Sequence, residues 1–171
     1  VIWDISKYGY DSLYFGDLKT DRRIAYAASS GKTDAYAGSS NDVAEKLKKF
    51  DHISVRDVNT QHLVKELTGQ DPEIVADPVF LPEPLSVLCD AGEDHRIPKE
   101  PFVLVYGCRY SAEDGQVIRD YARKKNLKVI SVGNRNFWAD QSILSVGPLS
   151  ILNWFKASDS VFSSTFHGCI F

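Results

Sequence analysis

The chain of 171 residues contains no methionine, and its three cysteines, Cys89, Cys108 and Cys169, are odd in number and far apart. That spacing argues against a disulfide framework and a thiolate zinc centre, and it fits reduced thiols in a cytosolic setting. No apolar stretch approaches the roughly 20 residues of a membrane-spanning helix, and no charged, apolar, small-residue leader opens the sequence. Neither sign of charge dominates. The formal net charge is −3 with the signs interspersed, which leaves no basic footprint for nucleic acid or an anionic membrane. Internal repeats and low-complexity tracts are also absent. What is present is 43% apolar and 25% charged residues, enough apolar side chains for one or two cores. Val1-Ile2-Trp3 opens without a cap and Cys169-Ile170-Phe171 stops within an apolar run; with the missing methionine, these ends predict a piece of a longer protein.

Short β-branched runs alternate with segments of helical period, the pattern of βαβ units and a mostly parallel, doubly covered sheet. A first series predicts a strand over Arg23 to Ala28, then a helix from Asp42 to Phe50 with Val43, Leu47 and Phe50 on one face and Asp42 with Glu45 as its cap. It continues with a strand over His52 to Val55, a helix capped by Asn59 and ended by Gly69, and a strand over Glu73 to Ala76. From Asp77 to Pro101 the pattern dissolves into prolines and charges, which predicts a linker. The second series starts with a strand at Phe102 to Tyr106. Ser111 and Asp114 then cap a helix with Val117, Ile118, Tyr121 and Ala122 inward. Strands follow at Leu127 to Val132 and Ser142 to Val146. Pro148 is expected in the first turn of a helix through Leu152 and Phe155, and Ser160 to Ser163 closes the series. The expected organisation is an N-terminal part over 1–82, a linker over 83–101 and a C-terminal part over 102–171.

In open parallel sheets ligands bind beyond the carboxyl ends of the strands, where helix N-termini favour anions. That rule selects Arg56 and Asp57 after one strand, Asp77-Pro78 after another, Gly107 after a third, and Ser163-Ser164-Thr165-Phe166-His167-Gly168 after the last. Each has two readings. Arg56 has the fork that grips a phosphate or carboxylate, or it pairs with Asp57 to hold a loop. His167 has the unperturbed pKa for proton transfer near neutrality, or it is a structural histidine. Asp77 before proline is a polar site residue or the start of a turn. Ser163, Ser164 and Thr165 bind an anion or cap the next helix, and Gly107 admits a ligand or relaxes a turn. Trp3, Tyr8, Tyr10, Tyr14 and Phe15 stack on sugar rings or pack in a core.

Taken in order, several segments resemble the polysaccharide pyruvyl transferase family. Ile2-Trp3 stands at the end of its Ser-Asp-Gln-hydrophobic-Trp stretch, and Ile24 to Ser29 resembles its Ala-Tyr-Ala-Ser run. Ile53-Ser54-Val55-Arg56-Asp57 matches its Ser-Val-Arg-Asp element, followed by Asp77-Pro78-Val79-Phe80-Leu81 and Val146-Gly147-Pro148. Ser163 to Gly168 resembles its Ser-Phe-His-Gly signature. The resemblance covers nearly the whole chain but only the middle of the family domain.

It implies an α/β fold of two Rossmann-like halves with mostly parallel sheets, similar to the GT-B glycosyltransferases, both truncated here, with an active site in the cleft between them. It implies transfer of the pyruvyl group of phosphoenolpyruvate to a sugar or lipid-linked oligosaccharide, giving a cyclic ketal and phosphate without metal or redox cofactor, in the cytoplasm or peripherally at the inner membrane. By the same resemblance His167 is the general acid or base, Arg56 meets the donor's anion, and Asp57 or Asp77 orients Arg56 or accepts a sugar proton. Ser164, Thr165 and Gly168 complete the substrate-binding set. Some members carry arginine where this chain has Thr165, so a second cationic contact is not supplied there. Two rival functions are a nucleotide-sugar glycosyltransferase on the same fold and a non-catalytic glycan-binding or assembly protein.

Overall fold

The computed structural model describes residues 3–4, 11–33, 41–80, 94–108, 110–148 and 150–171. The chain forms two compact units, Val1–Phe80 and Leu81–Phe171. Both are α/β with parallel strands. Most of the expected 83–101 linker lies outside the described residues.

The first unit carries β1 (Ile24–Ala28), α1 (Asn41–Leu47), β2 (His52–Val55), α2 (Val58–Thr68) and β3 (Glu73–Ile74). Its sheet has the order β1-β2-β3. Val43 and Leu47 of α1 and Val64 of α2 pack with Ile53, Val55, Trp3 and Phe15 in one core, and Phe50 packs partly against it from the turn after α1. Trp3 and Phe15 stack with ring centroids 6.0 Å apart. They are core residues, whereas Tyr14 is exposed and Tyr8 and Tyr10 lie outside the described residues. The cap of α2 is Asp57, whose side chain accepts from the Thr60 N–H, and not the expected Asn59. Asp57 occupies the extended N-cap position, while Asn59 already lies within the helix. Gly69 closes α2 in the left-handed conformation, as its sequence position predicts. Asp42 lies inside the first turn of α1 and not before it, and β3 ends two residues short of Ala76.

The second unit carries β4 (Phe102–Tyr106), α3 (Ala112–Lys125), β5 (Lys128–Val132), β6 (Gln141–Ile143), α4 (Ile151–Ala157) and β7 (Ser160–Ser163), with strand order β6-β5-β4-β7. Alternation along β4 sends Phe102 and Leu104 to one face, where Trp154 and Phe155 of α4 cover them, and Val103 and Val105 to the other, under Ile118 and Ala122 of α3. A sheet covered on both faces has no polar strand positions to spare, which is why β4 reads as a continuous apolar run. Full burial of a side chain of this size is worth about 1.5–3 kcal/mol.

Ser111 and Asp114 form the expected capping box. Val117, expected inward, is 64% exposed because the buried stripe of α3 runs through Gly115, Ile118 and Ala122. Pro148 lies in a turn before α4, since the helix starts only at Ile151, and β6 ends at Ile143 and not at Val146. The polypeptide entering this unit is anchored by Asp94. Its carboxylate takes both Nε and Nη2 of Arg96 at 2.7 Å and the Trp154 indole N–H at 3.0 Å. The Arg96 guanidinium, helped by Trp154, holds the Asp94 carboxyl far below the usual range.

Candidate active site

At the carboxyl edge of the first sheet, β1 carries one extra residue. Ala25 pairs with Ile53 and Ala28 with Val55, so the strand bulges between them, and Ala27 takes φ 50°. A left-handed alanine costs roughly 1–2 kcal/mol, and bulges are frequent beside active sites. Ser54 compensates. Its hydroxyl donates to Ala25 O (3.3 Å) and accepts the Ala27 N–H (3.2 Å).

The bulge delivers a buried polar loop. The Ser30 N–H donates to Thr60 Oγ1 at 2.8 Å, the Asn59 amide donates to Thr33 O at 2.7 Å, and the Thr33 hydroxyl donates to Asp4 at 3.2 Å. Asp57 accepts the N–H and hydroxyl of Thr60 at 2.8 and 2.7 Å, so its carboxylate faces its own helix. Burial alone would raise the Asp57 carboxyl, but the Thr60 and Ser29 hydrogen bonds and the Arg56 charge together bring it below the ordinary value. Arg56 pairs not with Asp57 but with Asp77, across 21 residues of sequence. Both side chains are largely buried, 16% and 7% exposed. Asp77 also accepts the Val79 N–H at 3.1 Å, so it is at once the turn residue and the partner of the arginine.

The order of the second sheet reverses between β4 and β7, because β5 lies on one side of β4 and β7 on the other. Loops leaving such a switch point diverge and open a crevice for ligands. Here the two loops are Gly107 onward and Ser164 to Gly168. They are closely laced: Ser164 Oγ donates to Cys108 O at 2.7 Å and accepts the Cys108 N–H at 3.0 Å. Gly107 has φ 130°, and a Cβ there would run into Ser164, with its amide nitrogen 3.1 Å away. Gly168 is buried, and a Cβ on it would meet the Tyr106 ring at 2.6 Å and Thr165 Oγ1 at 2.7 Å.

Thr165 Oγ1 accepts the Gly168 N–H at 3.1 Å. His167 opens the 3₁₀ turn His167–Cys169 and is exposed, with the Phe166 ring edge-on at 5.3 Å. Below the loops the Tyr110 hydroxyl lies 2.9 Å from Phe162 O and 3.2 Å from Tyr106 O. Burial raises the Tyr110 phenol, which therefore stays a neutral donor fixing the ends of β4 and β7 together. The N-terminus of α3, by contrast, is occupied by its own Ser111 and Asp114, so the cations and hydroxyls, not this helix end, are the anion-binding groups on offer.

The sequence-selected residues thus fall in two groups. Arg56, Asp57 and Asp77 belong to the first unit, where Arg56 and Asp77 meet and Asp57 turns away to cap α2. Ser164, Thr165, His167 and Gly168 belong to the second, on one loop at the switch point. A family model described as polysaccharide pyruvyl transferase matches residues 2–171. The chain belongs to the polysaccharide pyruvyl transferase family. No curated protein and no solved structure matches the chain.

Membership gives the strand-end residues a common context, since the pyruvyl transferase match takes in both groups. Three parts of the architecture escaped the sequence reading. The Ser54 plug was hidden because a bulge is visible only against its partner strand. The Thr60 link had a signal, the Asp57-x-x-Thr60 spacing of a helix start, but Asn59 competed for it. Tyr110 gave none, as its role depends on the carbonyl of Phe162 in a distant strand. Among the described residues no group of histidine, cysteine or carboxylate side chains is placed to hold a metal ion, Cys108 and Cys169 are free, and no helix is long and apolar enough to cross a membrane.

Proposed function

We propose that this chain transfers the pyruvyl group of phosphoenolpyruvate to a hexose of a polysaccharide precursor in the cytoplasm, with the acceptor free or lipid-linked. The carrying observation is that the family match spans a histidine-bearing loop at the switch point of the second sheet. In this reading the two sheets belong to a GT-B-like enzyme, and phosphoenolpyruvate is a substrate, with no metal or redox cofactor used.

The chemistry balances as follows. A proton adds to the methylene carbon, and a sugar hydroxyl attacks the adjacent carbon and loses its proton. The C–O bond to phosphate then breaks, and the second hydroxyl closes the ketal with loss of another proton. One hydroxyl proton replaces that spent on carbon and the other leaves with phosphate. His167, exposed and near neutral in its intrinsic titration, is the group to move these protons. Arg56, oriented by Asp77, meets the donor's phosphate or carboxylate, where charge builds as phosphate departs. Asp57 is assigned a positioning role through the start of α2. Ser164 and Thr165 shape the loop that presents substrate, and Gly168 lets it close on Tyr106.

Thermal unfolding of the full-length protein with phosphoenolpyruvate and with uridine and guanosine diphosphate sugars tests the donor. Phosphoenolpyruvate at 100 times its dissociation constant should add about 2.7 kcal/mol. Arg56→Lys, which keeps the charge against Asp77 but loses the fork, should remove most of that gain. Stabilisation by a nucleotide sugar and none by phosphoenolpyruvate would make the protein a glycosyltransferase instead.

A further inference from the structure

The larger described cavity of the second unit lies away from the loops just described. About 580 Å³ in volume, it is bounded by Phe102, Lys128 and Gln141, the first residues of β4, β5 and β6. Because all strands run parallel, this is the edge opposite Ser164 to Gly168. Arg119 and Arg123 from the second half of α3 line it with Lys128. Two carboxylates face them, Glu100 and Asp140, and Asp140 is already engaged by the Val129 N–H at 2.7 Å.

The arginines are held in place from outside the cavity. Arg119 Nη2 donates to Gln116 at 2.7 Å and Arg123 Nη1 donates to Asp120 at 2.8 Å. Arg119 Nε, however, is out of solvent with no acceptor, the one such side-chain atom among the described residues. A buried donor left unmade is costly in any fold and in native proteins calls for an explanation such as a bound ion. Here it coincides with a cavity and two further cations.

We propose that this cavity is an accessory site for a small oxyanion, a phosphate or carboxylate, that accepts from Arg119 Nε and is neutralised by Arg123 and Lys128. The site stands apart from the proposed transfer chemistry and does not depend on it. A guanidinium suits such a ligand because its donors lie in one plane and match two oxygens. Asn126 and Gln141 also line the cavity and add amide groups for the ligand's polar body.

The test follows the Arg119 Nε–H resonance by NMR, and the Tm, of the full chain titrated with inorganic phosphate and with malonate, against sodium chloride at matched ionic strength. Phosphate or malonate should shift the resonance and raise Tm by on the order of 5 °C at saturation, with no effect of chloride. Arg119→Met should abolish the rise yet keep the response to phosphoenolpyruvate, and Lys124→Gln, on the same helix outside the cavity, should leave both. A resonance that does not move, a rise equalled by chloride, or one that survives in Arg119→Met overturns the site. If Arg119→Met does not fold, the resonance alone decides.

Discussion

At the carboxyl edge of the first sheet the polar groups are buried and paired, whereas at that of the second the histidine and a hydroxyl are exposed and the glycines are packed. Arg56 with Asp77, and Ser30 with Thr60 and Asn59, fix the first edge by charge and hydrogen bonds. Gly107 and Gly168 fix the second by the side chains that their missing Cβ atoms admit. The contrast teaches where each edge is vulnerable: the first should lose stability when a polar group is removed, and the second when an atom is added.

The largest expected effect separates function from stability. His167→Ala should cut phosphate release from phosphoenolpyruvate in the presence of acceptor by about 10²–10⁴-fold with the melting temperature nearly unchanged, because the side chain is exposed. A comparable loss of stability would break the distinction. Next comes Asp77→Ala, which strands a buried guanidinium and should cost about 3–5 kcal/mol in urea unfolding; a cost below about 1 kcal/mol would place the pair with weak surface bridges. Gly168→Ala should cost about 1–3 kcal/mol by overpacking, and a neutral result would mean that the Tyr106 ring yields freely.

The smallest effect is a pH dependence. The folded-state pKa of Asp94 is depressed, so its stabilisation is present above the ordinary carboxylate value near 3.9 and fades as pH falls below it towards the folded value. Asp57 has the same sign in the first unit. Denaturant midpoints between pH 6 and pH 3 should fall less steeply in Asp94→Asn than in the parent, and parallel slopes would assign the acid sensitivity to other groups.

Much of the fold was legible because it rests on local rules. The β-branched runs at His52–Val55, Phe102–Tyr106 and Ser160–Ser163 are strands over those spans, and the Ser111/Asp114 box needs only its own spacing. Where two neighbours could do the same job, local rules failed: Asn59 was favoured over Asp57, and Pro148 was set inside a helix that starts three residues later. The candidate positions emerged from the strand-end rule and the family pattern. Their partners did not, since the link from Arg56 to Asp77 and that from Ser164 to Cys108 join residues far apart in sequence.

The extra residue in β1 has one more consequence. Side chains on a strand alternate with a period of two, so an insertion changes the phase of everything after it. Past Ala27 the inward and outward faces exchange, and Ala28, Ser29 and Ser30 are buried in succession. Excising Ala27 would restore the phase of the strand and turn those hydroxyls to the wrong side, undoing the loop without touching a residue of the ion pair. In Ser54-Val55-Arg56-Asp57 the serine therefore serves as the keeper of that phase, and a motif that reads as one unit divides into a part that sets the frame and a part that uses it.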